Sequence, residues 1–246
     1  MNLKHFNLKH IKLDKIESTN SYLHTLKTSR NNDLGTIVSA ENQTLGKGQK
    51  GNLWQTEANK NLTFSVITYP NINVKYAFYL NIISSIAVQK ALSDLKIESL
   101  IKWPNDILVN KKKICGILVE NQINGNLITQ SIIGIGLNVN QTNFESNLNA
   151  TSIKKQGIDI DIEDLLLQIY GYLDFYYNLM IQSNFKLLLT HYYSHLFWYN
   201  QIGTFKDNNS EFNALLLGIN EIGRLELKLL DHTKRSFDLK EISFIY

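Results

Sequence analysis

Residues 100–139 read "LIKWPNDILVNKKKICGILVENQINGNLITQSIIGIGLNV" and carry the clearest strand pattern of the chain. Apolar and β-branched runs are separated by short polar turns. One turn falls at "NKKK" (110–113) and another at Asn124-Gly125, a dipeptide that favours two-residue hairpins. Strands joined by tight turns pair in antiparallel fashion. The stretch therefore predicts a mainly antiparallel sheet in the middle of the chain.

Strand-like and helical segments flank this sheet. Strands are predicted at 36–41 and 62–69, and a long, mostly buried helix at 73–95, where apolar residues recur at helical spacing. A second helical region begins near Asp161 and continues through an aromatic-rich stretch to about residue 199. Together these segments predict an α+β fold, a mixed and mainly antiparallel sheet with helices on one face.

Beyond residue 201 the pattern changes to short alternating segments, "IGTFK", "EFNALLLGI", "GRLELKLL" and "EISFIY". Turn residues separate them, which is typical of a small all-β appendage of the barrel kind. We therefore expect two domains, one over residues 1–199 and a small β domain over residues 200–246.

Composition limits the class of protein. The 246 residues are 43% hydrophobic with a net charge of +3, which predicts a folded globular chain and gives only weak support for nucleic-acid binding. The N-terminal residues lack the apolar core of a signal peptide, and no run approaches membrane-spanning length, so we expect a cytoplasmic protein.

The single Cys115 lies in an apolar run and is interpreted as a small buried hydrophobe. His191 and His195 have the spacing of a metal pair, but no third ligand is near, which favours a helix face.

The glycine loop, "ENQTLGKGQKGNLWQ" (41–55), contains the pattern GxGxxG. A strand-like segment follows it, where a dinucleotide-binding unit needs a helix, and no GK is followed by Ser or Thr as a P-loop requires. A flexible loop is the alternative interpretation. Lys47 and Lys50 alternate with the glycines, so that backbone N–H and ammonium groups can converge on one anion.

Three charged residues in residues 102–113 form the second candidate feature. Lys102, Asp106 and Lys113 fall on adjoining strands of the predicted hairpin, with Pro104 forcing a break before the carboxylate. Lys111 and Lys112 are interpreted as a solvated turn.

Several short motifs occur along the chain in this order: "ESTNSYL", "QTLGKGQKGNLW", "KWPNDILV", "KKICGILVE" and "GIGLNVN", followed by "NATSI". With these motifs the chain resembles the biotin protein ligases, or biotin–acetyl-CoA-carboxylase ligases, over nearly its whole length. The resemblance implies a class II synthetase-like catalytic domain with an SH3-like C-terminal domain. It also implies an ATP-dependent, AMP-forming carbon–nitrogen ligase. Such an enzyme converts biotin and ATP into biotinyl-5′-AMP and passes biotin to one lysine of a biotin carboxyl carrier protein domain, with Mg²⁺ as cofactor.

The resemblance also implies a set of site residues. Biotin is expected to contact Ser18, Thr19, Asn20, Gln43, Gly46, Lys47, Gly48, Gln49, Lys113, Gly116, Gly134 and Gly136. ATP and the adenylate are expected to contact Lys47, Gln49, Lys50, Trp54, Asn105 and Asn138. The catalytic groups are expected to be Lys102, Asp106 and Lys113, with metal ligands that the sequence does not identify.

Two departures from the family pattern bear on function. Gln49 stands where many members carry an arginine, which removes a charge near the phosphate. Only about sixteen residues precede the "ESTNSYL" motif, so we expect no DNA-binding helix-turn-helix and no DNA partner. The resemblance allows a homodimer. A lipoate or octanoate ligase of the same fold and a non-enzymatic peptide-binding module are the alternative functions.

Overall fold

The computed structural model describes residues 3–146 and 148–246, apart from the side chains of Asn31 and Lys50. This part of the chain forms a large sheet, a smaller sheet and five α-helices. None of the described helices is both long and apolar enough to cross a membrane.

The large sheet is mixed and mainly antiparallel, as the sequence predicts. Its strands are β1 (His10–Ile16), β2 (Ile37–Gln43), β3 (Leu62–Thr68), β4 (Ile72–Asn73), β5 (Leu100–Lys102), β6 (Asp106–Val109), β7 (Lys112–Asn124) and β8 (Leu127–Leu137). The order is β1-β2-β3-β8-β7-β6-β5, with β4 paired to β8. Strands β1 and β2 run parallel and the other neighbours antiparallel.

The predicted hairpin between β7 and β8 is confirmed, since Asn124 faces Leu127 across a two-residue loop. Gly125 begins this loop at a φ of 58°, a left-handed conformation that glycine adopts without strain. Strand β1 was not predicted. Its "HIKLDKI" is half charged, and on the edge of the sheet it buries too little to give a clear apolar pattern.

Five helices lie among the described residues: α1 (Thr19–Thr25), α2 (Arg30–Asp33), α3 (Phe78–Asp94), α4 (Ile162–Ile181) and α5 (Phe185–Tyr193). Helix α4 begins where predicted, because the Asp161 carboxylate caps it by accepting from the N–H groups of Glu163 and Asp164 at 2.8 and 3.0 Å. The predicted continuous helix to residue 199 was wrong. It breaks after Ile181, where Ser183 takes a φ of 59°.

The two faces of the large sheet have different cover. Leu62, Phe64 and Val66 of β3 belong to the main core with α3 and α4, and each such fully buried side chain stabilises the fold by roughly 1.5–3 kcal/mol. Ile67 points to the other face, where it packs with Leu23 of α1. Helices α3 to α5 therefore cover one face as expected, while α1 covers only part of the opposite face. The rest of that face carries the candidate site.

The small sheet contains β9 (Ile202–Lys206), β10 (Glu211–Ile219), β11 (Leu225–Leu229), β12 (Lys234–Phe237) and β13 (Ser243–Ile245). Its order is β12-β11-β10-β9-β13, with every pair antiparallel, which confirms a C-terminal β domain. Phe205 and Leu216 join the core cluster of the large sheet. The Trp103 indole N–H also donates to the Gly223 carbonyl at 2.9 Å. The boundary at residues 199 and 200 stays a prediction.

Candidate active site

The start of α1 supplies a cluster of buried polar groups. Ser18 caps the helix, with its Oγ accepting from the Ser21 N–H at 3.4 Å. The Thr19 N–H and hydroxyl both donate to Gln43 Oε1, at 2.8 and 3.0 Å. One amide oxygen at the end of β2 therefore fixes the first turn of α1.

Asn20 has its amide orientation set by two partners. The Ser65 hydroxyl donates to Asn20 Oδ1 at 2.5 Å, and Asn20 Nδ2 donates to Glu120 Oε2 at 2.7 Å. The Thr19 and Ser65 hydroxyl oxygens lie 2.7 Å apart, which places the Gln43 and Asn20 contacts side by side. Since the polar atoms are already held in one arrangement, the cluster is preorganised to recognise a fixed pattern of donors and acceptors.

Ser65 and Glu120 were missed by the sequence prediction. Strand β3 is buried at every position, and Ser65 lies on the face opposite Phe64 and Val66. A polar residue at such a position could have indicated the site. Glu120 lies inside the quoted segment "KKICGILVE", but nothing in the sequence indicated that it reaches Asn20, one hundred positions earlier.

Three predicted glycines form the floor of the site. Gly116 faces Gly136, and Leu118 faces Gly134, across the β7–β8 ladder. A Cβ at Gly134 would overlap Asn20 Oδ1, and one at Gly136 would overlap the Trp54 indole. Only glycine permits these close approaches, so the floor can take a flat group directly against the strands.

An inner cavity of about 50 Å³ lies above this floor. Its apolar walls are Phe64, Ile117, Leu118 and Ile135, and the α1 cluster forms its polar end. The Trp54 indole fills much of the space, and its Nε1 is buried without a hydrogen-bond partner among the described residues. Ligand pockets commonly measure about 300–1,000 Å³, so a small molecule enters only if the indole moves.

The glycine loop folds back on itself as a tight ribbon. The Gly48 N–H donates to the Asn52 carbonyl at 2.7 Å, and the Trp54 N–H donates to the Gly46 carbonyl at 2.8 Å. Lys47, Gly48 and Gln49 line the inner cavity, whereas Gly46 packs against the Trp54 backbone. The side chain of Lys50 lies outside what the structure describes.

The charged hairpin, formed by β5, β6 and the start of β7, brings the three predicted catalytic residues together. Asp106 Oδ1 lies 2.5 Å from Lys113 Nζ, and Asp106 Oδ2 lies 4.0 Å from Lys102 Nζ. Burial lowers the pKa of Lys102; Asp106 opposes this shift, and Lys113 adds to it. Lys113 also lies over the Trp54 ring, 5.5 Å from its centroid.

These side chains line an outer cavity of about 340 Å³ that adjoins the inner one. Gly48, Gln49, Trp54, Asn105 and Lys113 are common to both cavities. The C-terminal β domain closes the far side through Lys240, Ser243 and Phe244, none of which the sequence indicated. The inner cavity is thus a slot with a polar end, and Lys102 and Lys113 lie at its mouth. The outer cavity is the open space beyond the two lysines.

The two predicted asparagines differ in placement. Asn105 borders both cavities and is fixed by its Nδ2, which donates to the Ile117 carbonyl at 2.5 Å. Asn138 borders neither cavity. It is buried, and its Nδ2 donates to the Thr151 carbonyl at 3.0 Å, so its predicted contact with the adenylate has no support from this geometry.

Other titratable groups give no second centre. Among the described residues no three His, Cys, Asp or Glu side chains are grouped so that they could hold a metal ion. His195 bonds within its own helix end, to Ser194 Oγ at 2.9 Å. Cys115 is fully buried, and burial raises the pKa of its thiol, so no thiolate nucleophile is available there.

Comparison with known proteins agrees with this geometry. Residues 13–138 match the biotin/lipoate A/B protein ligase family. The chain is 32% identical over 238 residues to the bifunctional ligase/repressor BirA of Bacillus spizizenii, covering 91% of this chain and 70% of that protein. It is 31% identical over 148 residues to the biotin–(acetyl-CoA-carboxylase) ligase of Mycobacterium tuberculosis, covering 57% of this chain and 53% of that protein.

A solved structure shares the fold. The biotin protein ligase of Aquifex aeolicus, in complex with biotin and ATP, superposes with a TM-score of 0.79 at 24% identity. The match covers 96% of this chain and 98% of that one, including both sheets.

Proposed function

The chain belongs to the biotin/lipoate A/B protein ligase family, and we propose that it activates biotin with ATP as biotinyl-5′-AMP and transfers biotin to a lysine of a carrier domain. The observation that carries this assignment is the inner cavity, whose buried end is polar and whose mouth is cationic. Biotin has the same distribution of chemistry, a polar ureido ring at one end and a carboxylate at the other.

The polar end favours biotin over lipoate. A ureido group needs fixed donors and acceptors, and Thr19, Asn20 and Gln43 present hydroxyl and amide groups in a bonded network. The dithiolane of lipoate and the alkyl tail of octanoate would exclude water from these polar groups. Neither offers hydrogen-bond partners in place of that water. A site built for hydrogen bonding strongly rejects a ligand that lacks the partner groups.

In the first step a biotin carboxylate oxygen attacks the α-phosphorus of ATP, and the bond from that phosphorus to pyrophosphate breaks. Both reactants are anions, so their repulsion must be screened before they meet. Lys113 and Lys102 lie at the mouth of the slot, and Lys47 lines its wall. Preorganised cations of this kind stabilise charge that develops in the transition state.

Mg²⁺ enters this scheme with ATP. The described residues offer no cluster of three metal ligands, and Asp106 is already engaged by Lys113. Mg²⁺ commonly binds through substrate phosphates and retained waters, with few protein ligands. We therefore treat the substrate as the Mg²⁺ complex of ATP.

In the second step the lysine amine of the carrier attacks the acyl carbon, AMP leaves, and the attacking amine loses a proton. Asp106 lines the outer cavity at the mouth of the slot, which we take as the entry of that amine. Its pairing with Lys113 holds it in place, and it is positioned to orient the amine and to take the proton. The expected carrier is a biotin carboxyl carrier protein domain, in the cytoplasm where ATP is supplied.

The assignment is tested by mass spectrometry of the products. The protein is incubated with Mg²⁺, ATP and either biotin, lipoate or octanoate, and then with a biotin carboxyl carrier domain. Biotinyl-AMP and a singly biotinylated carrier are expected with biotin alone. A lipoyl or octanoyl adenylate formed at the same rate would contradict the assignment, and so would a carrier that stays unmodified.

A further inference from the structure

Lys102 is held by aromatic faces. Its Nζ lies 5.7 Å from the ring centroid of Phe244 and 5.2 Å from that of Tyr246. The ammonium makes no hydrogen bond to another described residue, and its nearest carboxylate oxygen, on Asp106, is 4.0 Å away. All three N–H donors are therefore available to an anion in the outer cavity.

The two rings belong to a packed aromatic cluster formed by the C-terminal β domain and the preceding Phe197. Phe197 contacts Tyr246 edge-on at 5.1 Å between centroids, and Phe205 contacts Phe244 at 5.1 Å. Phe244 also pairs with Phe205 across the β13–β9 ladder. The rings are thus fixed before any ligand arrives.

The same cluster is tied to the strand that carries Lys102. The Ile101 N–H donates to the His195 carbonyl at 2.7 Å, and the Phe197 N–H donates to the Ile101 carbonyl at 2.8 Å. The lysine and the rings around it are therefore held on one backbone framework. The Lys102 side chain is only 22% exposed, so solvent screens its contacts with the rings weakly.

We propose that Tyr246, together with Phe244, is a positioning residue for adenylation. The ring orients the Lys102 ammonium toward the phosphates of ATP. This inference rests on the proposed function. An ammonium over an aromatic face is attracted by the ring quadrupole and keeps its hydrogen-bond donors free, unlike an ammonium paired with a carboxylate. Asp106 already pairs closely with Lys113, so the rings supply what a second carboxylate would otherwise give.

Packing alone does not account for Tyr246. The residue is 39% exposed, so it is only partly packed into the aromatic cluster. Burial and, next, the charge of Asp106 raise the pKa of its phenol, which places the ring within the field of the charged hairpin. Ile245, its neighbour in sequence, is also 39% exposed, and successive side chains of a strand point to opposite faces.

The test compares Tyr246→Leu, which removes the ring, with Tyr246→Phe, which keeps it, and with Ile245→Ala as a control for disturbing β13. Steady-state adenylation is measured by pyrophosphate release. Transfer from supplied biotinyl-AMP to the carrier domain is measured separately. We expect kcat/KM for ATP to fall about three- to tenfold in Tyr246→Leu, in line with the strength of a partly buried cation–π contact. Tyr246→Phe should restore most of the rate, and transfer from supplied adenylate should not change.

A double-mutant cycle separates positioning from general loosening of the fold. On a Lys102→Met background, Tyr246→Leu should cause no further loss, because the ring acts through the lysine. A full loss on that background would overturn the inference, as would a rate in Tyr246→Leu equal to that of the wild type. If the wild-type protein forms no biotinyl-AMP, the proposed function fails and this role fails with it. An active wild type with an insensitive Tyr246→Leu refutes the positioning role alone.

Discussion

The charged hairpin and the glycine loop line the same two cavities, yet they hold their side chains in different ways. In the hairpin, Lys102 faces Asp106 across a strand ladder, and the carboxylate side chain is only 19% exposed. In the loop, the bonds run mainly within the ribbon itself, and Leu45 and Leu53 are 52% and 64% exposed. The hairpin therefore provides fixed charges, whereas the loop provides a cover that must move to admit a ligand.

The difference has a direct consequence for substitutions. A change in the hairpin should remove a charge while the geometry around it stays, so it should alter the chemical steps. A change in the loop should alter how long a ligand is retained. The following variants test this division, in order of decreasing effect.

Asp106→Asn should give the largest effect, and it should fall on transfer. The amide keeps the shape of the side chain but cannot take a proton, so transfer to the carrier should slow by about a hundredfold, the size expected for loss of a general base. Biotinyl-AMP should still form. Separate single-turnover measurements of the two steps decide the matter, and an equal loss in both would assign Asp106 a purely structural role.

Lys113→Ala should weaken biotin binding and adenylation together. Losing a charge-assisted contact with the biotin carboxylate should cost roughly 1.5–3 kcal/mol, or about ten- to a hundredfold in kcat/KM for biotin. Lys112→Ala is the matched control, since this neighbouring lysine is exposed and borders neither cavity. Unchanged adenylation at limiting biotin in Lys113→Ala would remove Lys113 from the site.

Trp54→Ala should affect retention more than chemistry. The indole packs on Gly116 and Gly136 and must move when biotin enters, after which it is free to cover the adenylate. Losing that aromatic cover should speed dissociation of radiolabelled biotinyl-AMP by about two- to tenfold. Leu45→Ala, a change at an exposed loop residue that borders neither cavity, should release the adenylate at the wild-type rate. A Trp54→Ala variant that retains biotinyl-AMP normally would show that the indole is not part of the cover.

Gln49→Arg should give the smallest change. Gln49 lines both cavities without a charge, and an arginine there would add a partly screened contact to the phosphate. Release of biotinyl-AMP should slow by about two- to fivefold, as expected for a partly exposed ion pair. Gln49→Met, which adds no charge, is the control. If both variants release the adenylate at the same rate, position 49 does not reach the phosphate.

The parts of the fold that depend on local pattern were predictable. The β7–β8 hairpin follows from alternating apolar residues around Asn124-Gly125, and the start of α4 follows from the cap at Asp161. The break after Ile181 was not predicted, because the aromatic residues on both sides keep helical spacing. Strand β1 was missed because it shows no clear apolar pattern, since an edge strand buries few of its side chains.

The candidate site was predictable where a motif names the residue, and not where a distant segment supplies the partner. Lys102, Asp106 and Lys113 meet because strand register brings them together. The contact of Asn20 with Glu120 and that of Lys102 with Tyr246 join segments at least one hundred positions apart. Such pairs leave no periodicity in the sequence, because only the folded sheet determines which side chains become neighbours.

We propose that the polar slot selects biotin and that the fixed lysines at its mouth activate it. Exchange of radiolabelled pyrophosphate into ATP tests this directly, with biotin or lipoate as the acid and with wild type, Lys112→Ala and Lys113→Ala as the proteins. We expect biotin-dependent exchange in wild type and Lys112→Ala, a large loss in Lys113→Ala, and no exchange with lipoate. Exchange that lipoate supports as well as biotin, or that survives unchanged in Lys113→Ala, would contradict it.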